Sequence, residues 1–167
     1  RLIALGLEAD LLLMSGGVSA GKYDLVETVL AEMGARFYFD RVKIQPGQPL
    51  VFGEAQGKLF FGLPGNPSSS MVTFELFARA AVELLAGNRE PMLPLLWSRL
   101  ATDFRHKPGL TRFLPARLSV DGATLTPAGW QGSSDVFALS RANAFLVAEA
   151  DRESWQAGDW MRGLLKG

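Results

Sequence analysis

The feature of this sequence that most constrains its fold is a change in hydrophobic periodicity near residues 87–94. Before this stretch, short apolar runs alternate with segments whose apolar residues recur at helical spacing. After it, short runs with a period of two are separated by Gly and Pro turn signals. Strands alternating with helices are typical of an α/β unit, and many short strands with turns are typical of a small β-barrel. The sequence therefore predicts an α/β domain with a mainly parallel sheet over residues 1–90, followed by an all-β, barrel-like domain over residues 91–167.

Local signals place the elements of both halves. Residues 11–14 form an apolar run of the kind buried in a parallel sheet, and Gly34 ends a helix that begins near residue 25. Asn66-Pro67 is a strong helix start, because Asn caps the first turn and Pro fits its first position. Asp121-Gly122 predicts a type I′ hairpin turn. The other predicted elements are the end of a helix at 2–9, strands at 50–53, 58–62, 112–120, 123–126, 145–149 and 159–164, and a helix from Asn66 to about Leu85.

Composition excludes several classes of function. The 17 Lys and Arg residues balance 17 Asp and Glu residues, so the chain lacks the basic field of a general nucleic-acid binder. It has no cysteine, and its single histidine, His106, excludes a histidine-rich metal site and has no Ser or Asp pattern for a catalytic triad. No apolar run approaches the ~20 residues that span a bilayer, and we expect no signal peptide. We expect a cytoplasmic piece of a longer protein, with no nucleic-acid or membrane partner.

The most informative segment is the Gly-rich loop from Ser15 to Asp24, which joins a predicted strand to a helix. Its glycines allow the backbone to approach a phosphate, and the hydroxyls of Ser15 and Ser19 add donors. It departs from a nucleotide-hydrolysing P-loop because Tyr23 stands where Ser or Thr must hold magnesium, and from the dinucleotide motif because Val18 replaces the second glycine. We expect either an anion site or a tight turn that needs glycine for its geometry.

Asp24 stands at the start of the helix that follows this loop. One interpretation is a carboxylate that caps the helix or is favoured by its dipole. The other is that a magnesium ion joins this carboxylate to phosphate oxygens, since an acid beside an anion site is otherwise repulsive. The spacing of the residues alone favours neither interpretation.

A second loop, from Gly62 to Ser69, again leads into a helix N-terminus. Its prolines and glycines specify a rigid conformation, with Ser69 on the first helical turn. A stiffened cap and a second anion site both fit this pattern. Between the two loops lies a Pro-Gly turn at 45–49, and the segment 132–135 is either a hydroxyl-rich anion contact or a simple turn.

Four segments together closely resemble the molybdopterin molybdenumtransferases, the family of the bacterial MoeA proteins and the gephyrin E domain. They are SGGVSAGKYD at 15–24, PGQP at 46–49, GLPGNPSS at 62–69 and GSSD…ALSRANAFLV at 132–147. The resemblance covers almost the whole chain and implies most of the third domain plus the fourth domain of a four-domain protein. It implies that adenylylated molybdopterin and molybdate are the substrates, that AMP is released in a magnesium-dependent reaction, and that the intact enzyme is a homodimer.

The resemblance also implies roles for individual residues. Asp24 matches an essential aspartate that acts with Mg²⁺ at the phosphoanhydride, and Ser69 matches a serine implicated in molybdate binding. Ser133 or Ser134 would supply a second oxyanion contact. The other implied substrate-binding residues are Ser15, Gly16, Gly17, Val18, Ser19 and Gly21 at the pterin-phosphate end, and Pro46, Gly47, Pro49, Pro64, Gly65, Asn66 and Pro67 in the turn and the rigid loop.

The sequence departs from the family pattern at two places. Gln45 and Gln48 replace the lysines of Lys-Pro-Gly-Lys-Pro, which removes two cations from the implied molybdate site. Residues 109–115 lack the arginines of the usual Gly-Arg-x-Glu-Phe-x-Arg, although Arg112 and Arg117 are near. Two alternatives stay open: a competence-damage-type pterin or nucleotide phosphate hydrolase, which would share the α/β domain but not the barrel, and a non-catalytic binding or scaffold role.

Overall fold

The computed structural model describes residues 1–17, 26–132 and 134–166. The chain divides into two compact units. The first contains Arg1–Val42 and Gly47–Pro91, and the second contains Lys43–Pro46 and Met92–Gly167. The segment Lys43–Pro46 is therefore part of the second unit, although the residues before and after it belong to the first.

The described residues form helices and strands in both units. The helices are α1 (Leu2–Gly6), α2 (Val26–Glu32), α3 (Pro67–Thr73), α4 (Arg79–Leu85) and α5 (Val136–Arg141), with a π-helical turn (Phe74–Ala78) between α3 and α4. The strands are β1 (Leu11–Ser15), β2 (Arg36–Arg41), β3 (Ile44–Gln45), β4 (Pro49–Ala55), β5 (Lys58–Leu63), β6 (Leu95–Leu100), β7 (Phe104–Arg105), β8 (Thr111–Leu118), β9 (Thr124–Pro127), β10 (Ala144–Ala148), β11 (Ser154–Trp155) and β12 (Trp160–Leu165). None of the helices in this described part is long and apolar enough to cross a membrane.

The sheet of the first unit has the strand order β1-β5-β4-β2. Strand β1 runs parallel to β5, whereas β4 is antiparallel to both β5 and β2. The expectation of a mainly parallel sheet is therefore wrong for the described strands, which form a mixed sheet. The cause is a two-residue hairpin between β4 and β5, in which Gln56 and Gly57 have φ angles of 54° and 75°, as a type I′ turn requires.

Helices cover both faces of this sheet. On one face, Leu30 of α2 packs in a buried cluster with Val51 and Phe60. On the other, Ala78 packs with Leu50, Phe61 and Leu63, and partly buried aromatic residues of the same helical segment join this cluster. Burial of apolar residues on both faces is the layered arrangement of an α/β domain.

The predicted helix from Asn66 to Leu85 is helical throughout, but the π-helical turn interrupts its regular hydrogen bonding. Glu75 in this turn is buried and forms an ion pair with Arg79, in which Arg79 Nε lies 2.6 Å from Glu75 Oε2. The helix ends before Gly87, whose φ of 93° requires glycine. Gly34 ends α2 in the same way, with a φ of 76°.

In the second unit, β10, β12, β6, β9 and β8 pair in this order, and β8 pairs back with β10. These described strands therefore form a closed five-stranded barrel. Its buried core includes Leu114, Leu125, Leu146 and Met161. Strand β3 pairs in parallel with the start of β8. It lies on the same side of β8 as β9, which pairs with the end of that strand. The predicted fold class, an α/β domain followed by a small barrel-like domain, is confirmed.

The second unit is an all-β barrel apart from one short helix, α5, which follows the Gly132–Asp135 segment. One expectation for this unit is wrong. The hairpin between β8 and β9 exists, but Asp121-Gly122 is not a two-residue type I′ turn. The backbone closes the hairpin between Ser119 and Thr124, Gly122 alone of the Asp-Gly pair has a positive φ, and Asp121 Oδ1 accepts a hydrogen bond from the N–H of Ala123.

Candidate functional site

The two predicted loops of the first unit meet at one edge of the sheet. Strands β1 and β5 are parallel neighbours with Ser15 opposite Leu63, so their carboxyl ends lie side by side. The N–H of Gly16 donates a hydrogen bond of 3.0 Å to the carbonyl oxygen of Leu63. In open α/β sheets, ligands bind at the carboxyl ends of the strands. This edge is therefore the candidate site.

Glycines shape the loop after β1 and its contact with the loop after β5. Gly16 and Gly17 have φ angles of 86° and 71°, a conformation that favours glycine. A Cβ atom built on Gly65 would lie 3.2 Å from the Cα of Gly16, and one built on Gly17 would lie 2.8 Å from Cγ2 of Val26. Gly65 thus favours the close contact between the two loops, and Gly16 and Gly17 favour the turn after β1.

Ser70, which the sequence analysis did not select, links the same two loops. Its hydroxyl donates a hydrogen bond to the carbonyl oxygen of Pro64, and its Oγ lies 3.3 Å from Oγ of Ser15. Sequence offered only a weak signal, the run of three serines from residue 68 to residue 70. Ser70 fixes the rigid loop against the end of β1 and leaves the exposed Ser15 beside it.

Asn66 caps helix α3, as predicted. Its Oδ1 accepts a hydrogen bond of 3.1 Å from the N–H of Ser68, and Pro67 occupies the first helical position. Ser69 is 7% exposed, and its carbonyl oxygen accepts a hydrogen bond of 2.8 Å from Oγ1 of Thr73. The first turn of α3 is therefore fixed by internal hydrogen bonds, and Ser69 is buried rather than projecting from it.

The Pro-Gly turn is divided between the two units. Pro46 belongs to the second unit and follows a cis peptide bond, whereas Gly47 and Pro49 belong to the first. Gly47 has a φ of 106°, and the carbonyl oxygen of Gln48 accepts a hydrogen bond of 2.9 Å from the N–H of Val42. The side chains of Gln45 and Gln48, which replace the family lysines, are exposed.

In the second unit, Ser134 is exposed and precedes the cap of α5. That cap is Asp135, whose side chain accepts hydrogen bonds from the N–H groups of Ala138 and Gln131 at 2.9 and 3.1 Å. These two backbone donors lower the pKa of Asp135 below its ordinary value. Ser134 therefore stands beside a carboxylate that stays ionised, and it offers its own hydroxyl as a donor.

Several predicted site residues lie outside the described residues. These are Val18, Ser19, Gly21, Asp24 and Ser133. Within residues 1–17, 26–132 and 134–166, no group of three or more His, Asp or Glu side chains could hold a metal ion. The described part of the site consists of backbone N–H groups and hydroxyls, which are donors suited to an oxyanion.

His106, the single histidine, has a structural role in the described part of the second unit. Its Nε2 lies 3.0 Å from the carbonyl oxygen of Glu149 and 2.7 Å from that of Arg152. Because both partners are acceptors, this nitrogen carries the proton and ties β7 to the segment after β10.

Two family models match the chain. One, described as a probable molybdopterin binding domain, matches residues 2–84, and the other, described as the MoeA C-terminal region (domain IV), matches residues 98–164. These ranges fall largely within the first and the second unit of the structure.

Curated proteins and solved structures give the same pattern. A molybdopterin molybdenumtransferase of Staphylococcus aureus is 33% identical over 151 residues, which are 89% of this chain and 36% of that protein. The protein of the same name from Staphylococcus epidermidis is 32% identical over 154 residues, covering 91% of this chain and 37% of that protein. The crystal structure of a molybdopterin biosynthesis MoeA protein from Pyrococcus horikosii has a TM-score of 0.81 and 28% identity, over 99% of this chain and 40% of that chain. The chain thus spans somewhat more than a third of the length of these relatives.

Proposed function

Because the chain belongs to the MoeA-type family of molybdopterin molybdenumtransferases, we propose that it contributes the substrate-binding loops of an enzyme that inserts molybdate into adenylylated molybdopterin and releases AMP. The observation that carries the proposal is the contact between the loops after β1 and β5. A Cβ atom built on Gly65 would lie 3.2 Å from the Cα of Gly16. A backbone this close leaves backbone N–H groups and serine hydroxyls, rather than longer side chains, to contact an anionic substrate.

In this proposal the loop that begins at Ser15 binds the phosphate end of the substrate, with Gly16, Gly17, Val18, Ser19 and Gly21 supplying its backbone. The rigid loop from Pro64 to Pro67 orients the substrate against it, and Ser70 keeps the two loops in register. Ser69 contributes to molybdate binding from the first turn of α3. Because Ser69 is buried, this proposed role uses its backbone or follows a local opening of that turn.

Asp24 is the proposed catalytic residue, with Mg²⁺ as its partner. We propose that Asp24 supplies the carboxylate ligand for this hard cation, and that the remaining ligands come from substrate oxygens and water. Bound there, Mg²⁺ would neutralise the charge of the phosphoanhydride. The chain's own contribution is to hold the carboxylate at the end of a loop whose other groups bind the phosphate.

Pro46, Gly47, Pro49 and either Ser133 or Ser134 complete the proposed set of substrate contacts. The replacement of two lysines by Gln45 and Gln48 leaves molybdate to be held by neutral donors and by cations outside the Pro-Gly turn. We further propose that the full-length protein is a cytoplasmic homodimer.

The test is AMP release by the full-length protein from adenylylated molybdopterin, with and without molybdate. A transferase releases AMP only when molybdate is present. Release that does not depend on molybdate would instead indicate the hydrolase alternative, and no release at all would indicate a binding role. Residues 1–167 alone are expected to show little or no turnover.

A further inference from the structure

Two tryptophans on neighbouring strands of the barrel are more than half exposed. Trp97 of β6 is 59% exposed and Trp160 of β12 is 52% exposed, although burial of a tryptophan stabilises a protein strongly. Both indoles line one groove of about 400 Å³, whose lining is almost entirely apolar. Single exposed apolar residues are ordinary, whereas large exposed apolar groups that share a groove mark an interaction surface.

Two arginines pack against these indoles. In the pairing of β6 with β12, Arg99 lies opposite Trp160 and Arg162 lies opposite Trp97. Cζ of Arg99 lies 4.0 Å from the centroid of the Trp160 ring, and Cζ of Arg162 lies 5.9 Å from the centroid of the Trp97 ring. These cation–π contacts restrict the indoles, so a partner that binds them loses less of its binding energy in ordering side chains. The four residues form the Trp-Arg surface.

The Trp-Arg surface has one arginine whose charge no carboxylate offsets within the described part of the chain. Arg162 forms an ion pair of 3.2 Å with Glu149. Arg99 instead donates a hydrogen bond of 2.8 Å to the carbonyl oxygen of Gly158, and it forms no ion pair with any described residue. A partner complementary to this surface therefore offers a carboxylate to Arg99 and an apolar group to the two indoles.

The same charge pattern disfavours the other classes of occupant. A second copy of the chain in a symmetric contact would place the surface against itself, so that each Arg99 would meet a surface of the same charge. An anionic membrane or a nucleic acid is held by several unpaired cations, whereas the described part of this surface has one. The pattern favours a protein segment that carries an acid beside an apolar residue.

We propose that the Trp-Arg surface binds an acidic segment of another protein. An apolar side chain of that segment lies in the groove lined by Trp97 and Trp160, and one of its carboxylates accepts a hydrogen bond from Arg99. Tryptophan and arginine are the residue types that most often dominate the energetics of protein interfaces. The inference does not rest on the proposed transferase function, since these residues have no part in that proposal.

The first experiment selects peptides from a random phage library on the immobilised full-length protein, with counter-selection on its Trp97→Ser/Trp160→Ser variant. Both substitutions are at exposed positions, and circular dichroism checks that the variant is folded. Peptides that bind only the wild type are expected to carry Asp or Glu within a few residues of Leu, Phe or Trp. The proposal is overturned if no peptide distinguishes the two proteins, or if the peptides that do so lack an acidic residue.

The second experiment measures the affinity of the most enriched peptide by fluorescence anisotropy of a labelled copy. Trp97→Ser or Trp160→Ser should weaken binding by at least about tenfold. Arg99→Gln keeps both indoles and should weaken it by about threefold to tenfold. With Arg99→Gln, replacing the acid of the peptide by its amide should then cause no further loss. Additive losses would overturn the contact between Arg99 and the carboxylate.

Phe137→Ser is the matched control for these affinities. Phe137 is another exposed aromatic residue of the second unit, and Cζ of Arg141 lies 5.4 Å from the centroid of its ring. Its substitution should leave the affinity for the peptide unchanged. An equal loss with Phe137→Ser and Trp97→Ser would show that the peptide binds exposed aromatic residues in general, and it would overturn the proposal.

Two further measurements test the other occupants of the Trp-Arg surface. Sedimentation velocity compares self-association of the full-length wild type and its Trp97→Ser/Trp160→Ser variant. Co-sedimentation compares their binding to vesicles of phosphatidylcholine and phosphatidylglycerol. We expect no difference between the two proteins in either measurement. Weaker self-association of the variant would assign the surface to a second copy, and weaker vesicle binding would assign it to a membrane. Either result would overturn the proposal.

Discussion

Gly65 touches Gly16 so closely that a methyl group on Gly65 would lie 3.2 Å from the Cα of Gly16. The two residues belong to different loops, and the parallel pairing of β1 with β5 brings these loops together. Gly65 has no positive φ, so the requirement for glycine at this position comes from the contact itself. The relationship between these residues therefore fixes the distance between the two proposed substrate-binding loops.

Gly65→Ala in the full-length protein should push the two loops apart by a few tenths of an ångström. We expect KM for adenylylated molybdopterin to rise by about tenfold, because small displacements of binding groups are costly, while the melting temperature changes little. Steady-state kinetics and thermal melting measure the two effects. An unchanged KM would show that the spacing of the loops does not matter for binding.

Gly53→Ala is the matched variant in the same unit. A Cβ there would lie 2.5 Å from both the carbonyl oxygen of Arg36 and Cζ of Phe60, in the middle of the sheet. We expect a loss of about 1–3 kcal/mol in the free energy of unfolding, which is the typical cost of overpacking. Urea unfolding monitored by the helical circular dichroism signal measures this loss. KM of the folded enzyme should be unaltered, so Gly53→Ala should lower stability without changing KM, whereas Gly65→Ala should raise KM with little change in stability.

Two substitutions of Asn66 can separate its role as the cap of α3 from its proposed role in substrate binding. Asn66→Ala removes the acceptor for the N–H of Ser68 and should cost about 1 kcal/mol in unfolding free energy. Asn66→Asp keeps the cap and should retain stability, but it places a negative charge in a loop proposed to bind an anion. Its affinity for adenylylated molybdopterin should therefore fall. If Asn66→Asp bound the substrate as tightly as the wild type, this loop would not be an anion site.

The sequence could predict those features that depend on neighbouring residues. The cap at Asn66 and the helix end at Gly34 follow from short-range geometry, which is similar in every protein. The contact between Ser15 and Ser70 joins residues 55 positions apart, and it depends on the pairing of β1 with β5. No local pattern contains that information.

Other features could not be predicted because competing interactions decide them. Gln45 belongs to the predicted Pro-Gly turn, yet it and Ile44 pair with β8 across a long sequence separation. Asp121-Gly122 matches a type I′ turn locally, but the side-chain hydrogen bond of Asp121 favours a longer loop. The π-helical turn at 74–78 also has no signature in the hydrophobic spacing, which is the same for a continuous helix.

Asp135 should make the stability of the second unit depend on pH. Its pKa is lowered in the folded state by hydrogen bonds from Ala138 and Gln131, so its stabilising effect is complete at neutral pH. As the pH falls below the ordinary aspartate range and through the lowered pKa, that effect is lost. The difference in unfolding free energy between the wild type and Asp135→Ala should therefore shrink in acid.

Tryptophan fluorescence in urea measures this difference, because all four tryptophans lie in the second unit. Asp135→Asn is the control, since Asn keeps an acceptor for the cap but does not titrate. A difference between the wild type and Asp135→Ala that is constant from neutral pH to acid would show that the charge of Asp135 does not contribute.

The most direct test of the proposed function is AMP release by full-length Asp24→Asn. Asn and Asp cap helices with similar strength, so a purely structural Asp24 would tolerate the change. If Asp24 recruits Mg²⁺, the substitution removes a charged ligand, and molybdate-dependent AMP release should fall by at least about a hundredfold while unfolding free energy changes by no more than about 1 kcal/mol. Near-normal AMP release by Asp24→Asn would contradict the account and leave Asp24 as a helix cap.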